Sequence, residues 1–175
     1  MTAPYCRWPC RAAGFTLLEL MIVIAIIAIL ALIALPGVPD KFIRERIVES
    51  IKLADIVKTP VAASWSQNKG MPLDNAAAGL PVADKIVNDY ISSVAVESGA
   101  IQITFGNHAN VAIRGKILTL RPGVIEDATI VPITWVCGDA APPDKMVARG
   151  LNKTDVPARY LPFNCRAMGP MAAPV

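Results

Sequence analysis

Residues 15–35 form one apolar block in which Glu19 is the only charge among 21 residues. As a helix rising about 1.5 Å per residue, the block is long enough to cross a bilayer core of roughly 30 Å. Pro36-Gly37-Val38-Pro39 breaks the pattern, and a kink or short unwound stretch is expected at Pro36, where proline removes a donor and crowds the preceding turn. Helical spacing then resumes. Ile43, Ile47, Ile51 and Ala54 recur at i, i+4, i+8 and i+11, with Val48 and Val57 nearby. Lys41, Arg44, Glu45, Glu49, Lys52 and Asp55 fall mostly elsewhere on the wheel. This predicts an amphipathic helical continuation over 36–66 whose apolar face packs on a sheet. Pro60 is expected to end or bend it, with Ser64-Trp65-Ser66 as a last turn beyond the bend.

The pattern changes after residue 67. Gly70, Pro72, Gly79 and Pro81 mark residues 68–89 as irregular. Residues 90–97 mix β-branched residues with serine. Residues 100–105 alternate, and Ser98-Gly99 between the two runs is a hairpin signal. Residues 116–120 and 130–137 supply two more strands, and Pro132 makes the last one start late or lie at an edge. One long helix followed by about four antiparallel strands gives an α+β head. The final section, rich in Pro, Ala and Gly, is expected to wrap the sheet as loop.

A chain of 175 residues is long enough for one domain with a real core. Its hydrophobic share of 54% and mean hydropathy of +0.46 are high for a soluble domain, and the excess lies in the N-terminal block. The net charge is +3, of which Arg7 and Arg11 supply two, so the body is nearly neutral. It has no basic run to support a nucleic-acid groove. Four cysteines fall in two pairs. Cys6 and Cys10 precede the apolar block, lack a second pair or nearby His, and read as incidental. Cys137 and Cys165 lie far downstream and can form a disulfide if the body is exported to an oxidising compartment.

The chemical inventory points away from catalysis. His108 is the only histidine. It sits in Gly106-Asn107-His108-Ala109-Asn110, a turn, so neither a His-based triad nor a zinc cluster has much to build on. The acids are scattered, and no phosphate loop or paired catalytic carboxylates are present. Trp65 and Trp135 read as core or core-edge residues. No cofactor, metal or catalytic residue is expected.

The N-terminus carries a more specific signal. An ordinary secretory signal has an apolar stretch of about 7–15 residues and a small-residue cut after it. Here the block is longer, and the informative dipeptide, Gly14-Phe15, stands before it. The run Gly14-Phe15-Thr16-Leu17-Leu18-Glu19, continuing into an unbroken apolar helix with Pro36 at its end, resembles the start of type IV pilins and related pseudopilins. The resemblance extends through Tyr90-Ile-Ser-Ser-Val, Ile101-Gln-Ile-Thr-Phe-Gly, Gly115-Lys-Ile-Leu-Thr-Leu-Arg-Pro122, Trp135-Val-Cys137 and Tyr160-Leu-Pro-Phe-Asn-Cys165-Arg166, and so over most of residues 14–166. The chain departs from the family's pattern in its Pro- and Cys-bearing leader, in Pro60, and in its tail after Arg166.

The resemblance implies a type IVa major-type pilin precursor. Its leader would be residues 1–14, its transmembrane and polymerisation helix 15–35, its amphipathic continuation 36–66 and its globular head 67–175. A prepilin peptidase would cut between Gly14 and Phe15 and methylate the new N-terminus at Phe15. Glu19 would act in assembly, by pairing with the α-ammonium of a neighbouring Phe15. The plainer alternative is that Glu19 marks the membrane edge. Cys137 and Cys165 would close a C-terminal loop, worth about 3–4 kcal/mol in the chain-entropy model. The implied partners are identical or related pilin subunits in a helical fibre, the peptidase, an inner-membrane assembly machinery and membrane lipid. The implied location is the inner membrane with the head in the periplasm, then an extracellular fibre serving adhesion, twitching motility or DNA uptake. Two alternatives share part of this pattern: a minor pilin or type II secretion pseudopilin, and a membrane-anchored binding module for which the Gly14-Phe15 cut is unnecessary.

Overall fold

The computed structural model describes residues 14–33, 38–68 and 70–167. In chain order the elements are α1 (Leu17–Ile33), α2 (Val38–Leu53), α3 (Asp55–Asn68), β1 (Ile91–Glu97), β2 (Ala100–Phe105), β3 (Ile117–Val124), β4 (Thr134–Cys137) and β5 (Val147–Ala148). Single 3-10 turns lie at Ala83–Lys85 and Phe163–Cys165. The chain divides into two units, Met1–Val38 and Pro39–Val175.

In the first unit, α1 spans 17 residues, about 25 Å at the usual rise. Residues 14–31 are all exposed, although nearly all are apolar. Among the described residues no helix is long and apolar enough to cross a membrane. Pro36, where the kink is expected, lies outside the described residues, as do Cys6 and Cys10.

The second unit is the α+β head that the hydrophobic pattern predicts. α2 starts with Pro39 in its first turn, where the missing N–H has no helical partner to lose. Asp40 in the first turn and Lys52 in the last suit the helix dipole. The buried stripe runs Ile43, Ile47, Ser50, Ala54, Val57, Val61 and Trp65. It passes through Ser50 rather than Ile51, which is half-buried. Ser50 tolerates this because its hydroxyl donates to the Arg46 carbonyl at 2.8 Å.

Pro60 does not end the helix: it lies inside α3. The interruption comes six residues earlier, at fully buried Ala54. There the Ala54 N–H bonds to the Ile51 carbonyl at 3.1 Å, a tightened turn, and the Ala54 carbonyl accepts from both Val57 and Lys58 at 2.9 Å. The bond that Pro60 forgoes is the one to the carbonyl of Ile56, an exposed residue. Burial of Val57, Val61 and Trp65 holds the helix on either side.

The sheet is antiparallel, in the order β1-β2-β3-β4, with β5 paired to the far end of β3. Ser98 and Gly99 make the β1–β2 turn with φ of +50° and +82°, the left-handed pair a two-residue hairpin needs. A side chain at Gly99 would also meet Met71 Sδ at 2.7 Å. Ile101, Ile103 and Phe105 of β2, with Leu118 and Leu120 of β3, face the helices and form the core with Ile91, Val94 and Val96.

On the opposite face Gln102 and Thr119 are also buried. Thr119 Oγ1 donates to Gln102 Oε1 at 2.6 Å and accepts from the Lys153 N–H at 2.9 Å, while Gln102 Nε2 donates to the Leu151 carbonyl at 3.1 Å. The C-terminal section therefore wraps this face as loop, as its composition predicts.

β3 and β5 depart from the sequence expectation, while β4 starts late, as Pro132 predicts. β3 runs on to Val124, through Pro122. Pairing with β2 ends at Leu120, so the donor that Pro122 lacks falls beyond the end of β2, and its carbonyl takes the Arg149 N–H at 2.8 Å. β4 begins at Thr134, two residues past Pro132, and β5 carries no pattern signal because it has only two residues.

Asn75 ties the loop before β1 to the sheet. Its Nδ2 donates to the carbonyls of Pro81 and Val94 at 2.8 and 3.1 Å, and its Oδ1 accepts the Val96 N–H at 2.6 Å. Asn75→Ala leaves these three backbone groups without that partner, and two of the three bonds are fully buried. It is expected to lower stability by about 2–3 kcal/mol, read as a shift in the urea midpoint at unchanged slope.

Candidate assembly surface

The start of α1 is built by Thr16. Its Oγ1 accepts the Glu19 N–H at 3.2 Å, and its carbonyl accepts the Leu20 N–H at 3.2 Å. Thr-x-x-Glu is a helix-start pattern, and the cap sets Glu19 in the first turn, where the positive end of the helix favours a carboxylate. The Glu19 side chain is exposed, and among the described residues no salt bridge includes it.

Gly14 and Phe15 precede the helix without regular structure, and Phe15 is 78% exposed. A Cβ at Gly14 would meet nothing within 4 Å. This fold therefore makes no demand for glycine there.

Three predicted site residues, Gly14, Phe15 and Glu19, thus share one short exposed stretch. α1 beyond them is apolar on all sides, which suits burial among other apolar surfaces rather than contact with water on one face. On α2 the outward face carries Lys41, Glu45, Glu49 and Lys52 with Phe42 and Val48, all exposed. Glu49 accepts from Arg46 at 2.9 Å, and this bond, with a smaller contribution from Tyr90, raises the pKa of the Arg46 guanidinium. Arg46 also lies over the Tyr90 ring, 4.8 Å from its centre.

The structure joins Cys137 and Cys165 in a disulfide with Cα atoms 4.5 Å apart. It links the end of β4 to the Phe163–Cys165 turn and closes a loop 28 residues apart in sequence. The base of the loop is held by polar contacts that no motif announced. Arg121 Nη2 donates to the carbonyls of Gly138 and Ala140 at 3.1 and 3.2 Å, and the Asp139 N–H donates to the Cys165 carbonyl at 3.0 Å. Gly138 has φ +56°, and a Cβ there would stand 2.6 Å from the Cys165 oxygen, so this closure requires glycine.

His108 is exposed in a turn. Among the described residues no group of three or more His, Cys, Asp or Glu side chains is placed to hold a metal ion. Asn152 Nδ2 donates to Asp139 Oδ1 at 2.8 Å, and Thr154 Oγ1 accepts the Thr119 N–H at 3.0 Å, so both serve the loop packing.

Comparison with known families matches residues 44–166 to the pilin model, a bacterial filament family, and residues 10–35 to the prokaryotic N-terminal methylation motif. The chain belongs to the type IV pilin family. Among relatives, the type IV major pilin protein PilE of Neisseria gonorrhoeae is 35% identical over 159 residues, covering 87% of this pilin and 93% of the relative. The fimbrial protein EcpC of Eikenella corrodens is 39% identical over 157 residues, covering 87% and 90%. The type IV major fimbrial protein FimA of Dichelobacter nodosus is 33% identical over 140 residues, covering 72% and 86%. The pilin family is structural. The methylation motif spans the capped start of α1, and the pilin match ends one residue past Cys165, so the helix start and the disulfide both fall within matched segments.

Proposed function

We propose that this pilin is the repeating structural subunit of a type IV pilus, made as a precursor that is cut between Gly14 and Phe15 and methylated at Phe15. Residues 1–14 are the leader, 15–35 the membrane and polymerisation helix, 36–66 its amphipathic continuation and 67–175 the head. Before assembly the apolar helix holds the chain in the inner membrane with the head in the periplasm. Copies are then assembled, by machinery in that membrane, into an extracellular fibre. The relatives carry major-pilin and fimbrial names, which favours this reading over a minor pilin or a secretion pseudopilin.

The observation that carries the proposal is the exposed Gly14-Phe15 stretch leading, through the Thr16 cap, into a helix that is apolar on every side. The fold has no use for glycine at position 14, so the residue type answers to something that handles the chain from outside. A peptidase that needs an unhindered backbone at the cut is such an agent. Intact-mass spectrometry of membrane-extracted protein is expected to show a chain that starts at Phe15, lacks the leader and carries one added methyl group. A mature chain that retains residues 1–14 would overturn the reading.

A further inference from the structure

Tertiary packing brings two arginine side chains to the backbone oxygen of a third arginine. Arg44 Nη2 on α2 donates to the Arg159 carbonyl at 2.8 Å, and Arg166 Nη2 reaches the same oxygen at 3.4 Å. Arg166 is further fixed by its Nε, which donates to the Leu161 carbonyl at 2.9 Å. The Arg159 guanidinium lies over the Tyr160 ring, 4.6 Å from its centre. Two guanidinium nitrogens that share one acceptor lie within roughly 6 Å of each other.

Among the described residues no ion pair answers this charge. Among the described residues the cations in ion pairs are Arg46, Lys58, Lys116, Arg149 and Lys153, and none of the three arginines is among them. Arg44 Nε is buried without a hydrogen-bond partner. Lys41 and Glu45 flank Arg44 on α2, and Glu49 is engaged by Arg46. Gathered like charges repel, and an external anion that accepts from several of them relieves the repulsion.

We propose that Arg44, Arg159 and Arg166 form a site for the phosphate groups of anionic lipids, which holds the pilin head against the bilayer before assembly. The inference rests on the membrane stage of the proposed function. Guanidinium forks match phosphate oxygens, so the ligand chemistry is that of a phosphate. Position along the chain favours a lipid as its source. Arg44 lies six residues into α2, about 9 Å along the helix from Val38, and α2 begins five residues after apolar α1 ends. Lys41 and Arg46 lie on the same stretch. Cations directly beyond an apolar helix are the arrangement that anionic membrane surfaces attract. Folding adds Arg159 and Arg166, which are more than a hundred residues away in sequence, to that group.

The test uses the full mature chain in mild detergent, with phosphatidylglycerol and phosphatidylcholine supplied equally and retained lipid counted by native mass spectrometry. Each arginine is worth a factor of about five for an anionic surface, so the wild type is expected to prefer phosphatidylglycerol at least tenfold. Arg159→Gln leaves its carbonyl and both bonds to it in place, loses only the contact with the Tyr160 ring, and is expected to lower the preference about fivefold. Replacing all three arginines with Gln should abolish the preference, and Lys, which keeps the charge but lacks the fork, should keep only part of it.

Equal retention of the two lipids by the wild type overturns the site, as does an undiminished preference in the triple Gln variant. Displacement of the lipid by millimolar inorganic phosphate would assign the site to free phosphate instead. Loss of fibres in Arg159→Gln with unchanged lipid preference would assign the arginines to a neighbouring subunit. A chain absent from the membrane fraction would overturn the membrane reading and this inference with it. One that is present but indifferent to headgroup charge overturns the inference alone.

Discussion

Glu19→Ala is expected to leave the pilin in the membrane and to abolish most fibre. Removing the charge lowers the transfer cost of a deep position by about 2.5–3.5 kcal/mol, so insertion is not impaired. The start of α1 survives as well, because Thr16 caps the backbone N–H of residue 19 and not its side chain. What is lost is the carboxylate proposed to meet the α-ammonium of a neighbouring Phe15 inside an apolar bundle. Breaking one side of a buried pair typically costs about 3–5 kcal/mol, and the loss recurs at every subunit. The measurement is the ratio of sheared-fibre to membrane-retained protein at equal expression. A normal ratio in the mutant would reduce Glu19 to a marker of the membrane edge. Thr16→Val separates the cap from the charge: it loosens the first turn by roughly 0.5–2 kcal/mol and is expected to reduce fibre yield far less.

The second large effect is expected at the disulfide. Cys137→Ser combined with Cys165→Ser frees a loop of 28 residues in the unfolded chain, a loss of about 3–4 kcal/mol in the chain-entropy model. For a head of this size that is a fall in Tm of roughly 10 °C or more, measurable by calorimetry of the oxidised and doubly substituted proteins. Hydrogen exchange is expected to rise chiefly in residues 138–166 and less in β1 to β3, whose core residues Ile91, Ile101, Ile103 and Leu118 are fully buried. An unchanged Tm would mean that Arg121 and the bonds around Gly138 hold the loop alone.

The assembly surface and the head differ in how their residues relate along the chain. Gly14, Phe15, Thr16 and Glu19 act within one turn of helix, so their relation is local and visible in sequence. The Thr16 cap is equally local, since Thr-x-x-Glu before an apolar run is a helix-start signal. The arginine cluster is the opposite case. Arg44 reads as one charge on an amphipathic wheel, and nothing in its neighbourhood points to Arg159 or Arg166.

Periodicity alone determined the apolar first helix, the amphipathic helix after it, the Ser98-Gly99 hairpin and the α+β class, because burial on one face repeats at 3.6 or 2 residues. The late cysteines were visible as a pair able to bond on export. Tertiary structure decided the rest. Pro60 stays helical because neighbouring residues are buried, and the break moves to Ala54, where small size lets the turn tighten in the core. β3 passes through Pro122, still paired with β4 there, because β2 on its other side has already ended, a fact of register and not of residue preference. Gln102 and Thr119 are buried because a loop some 30–50 residues downstream covers them. Each of these outcomes depends on what lies opposite a residue across the fold, and a linear pattern reports only what lies beside it.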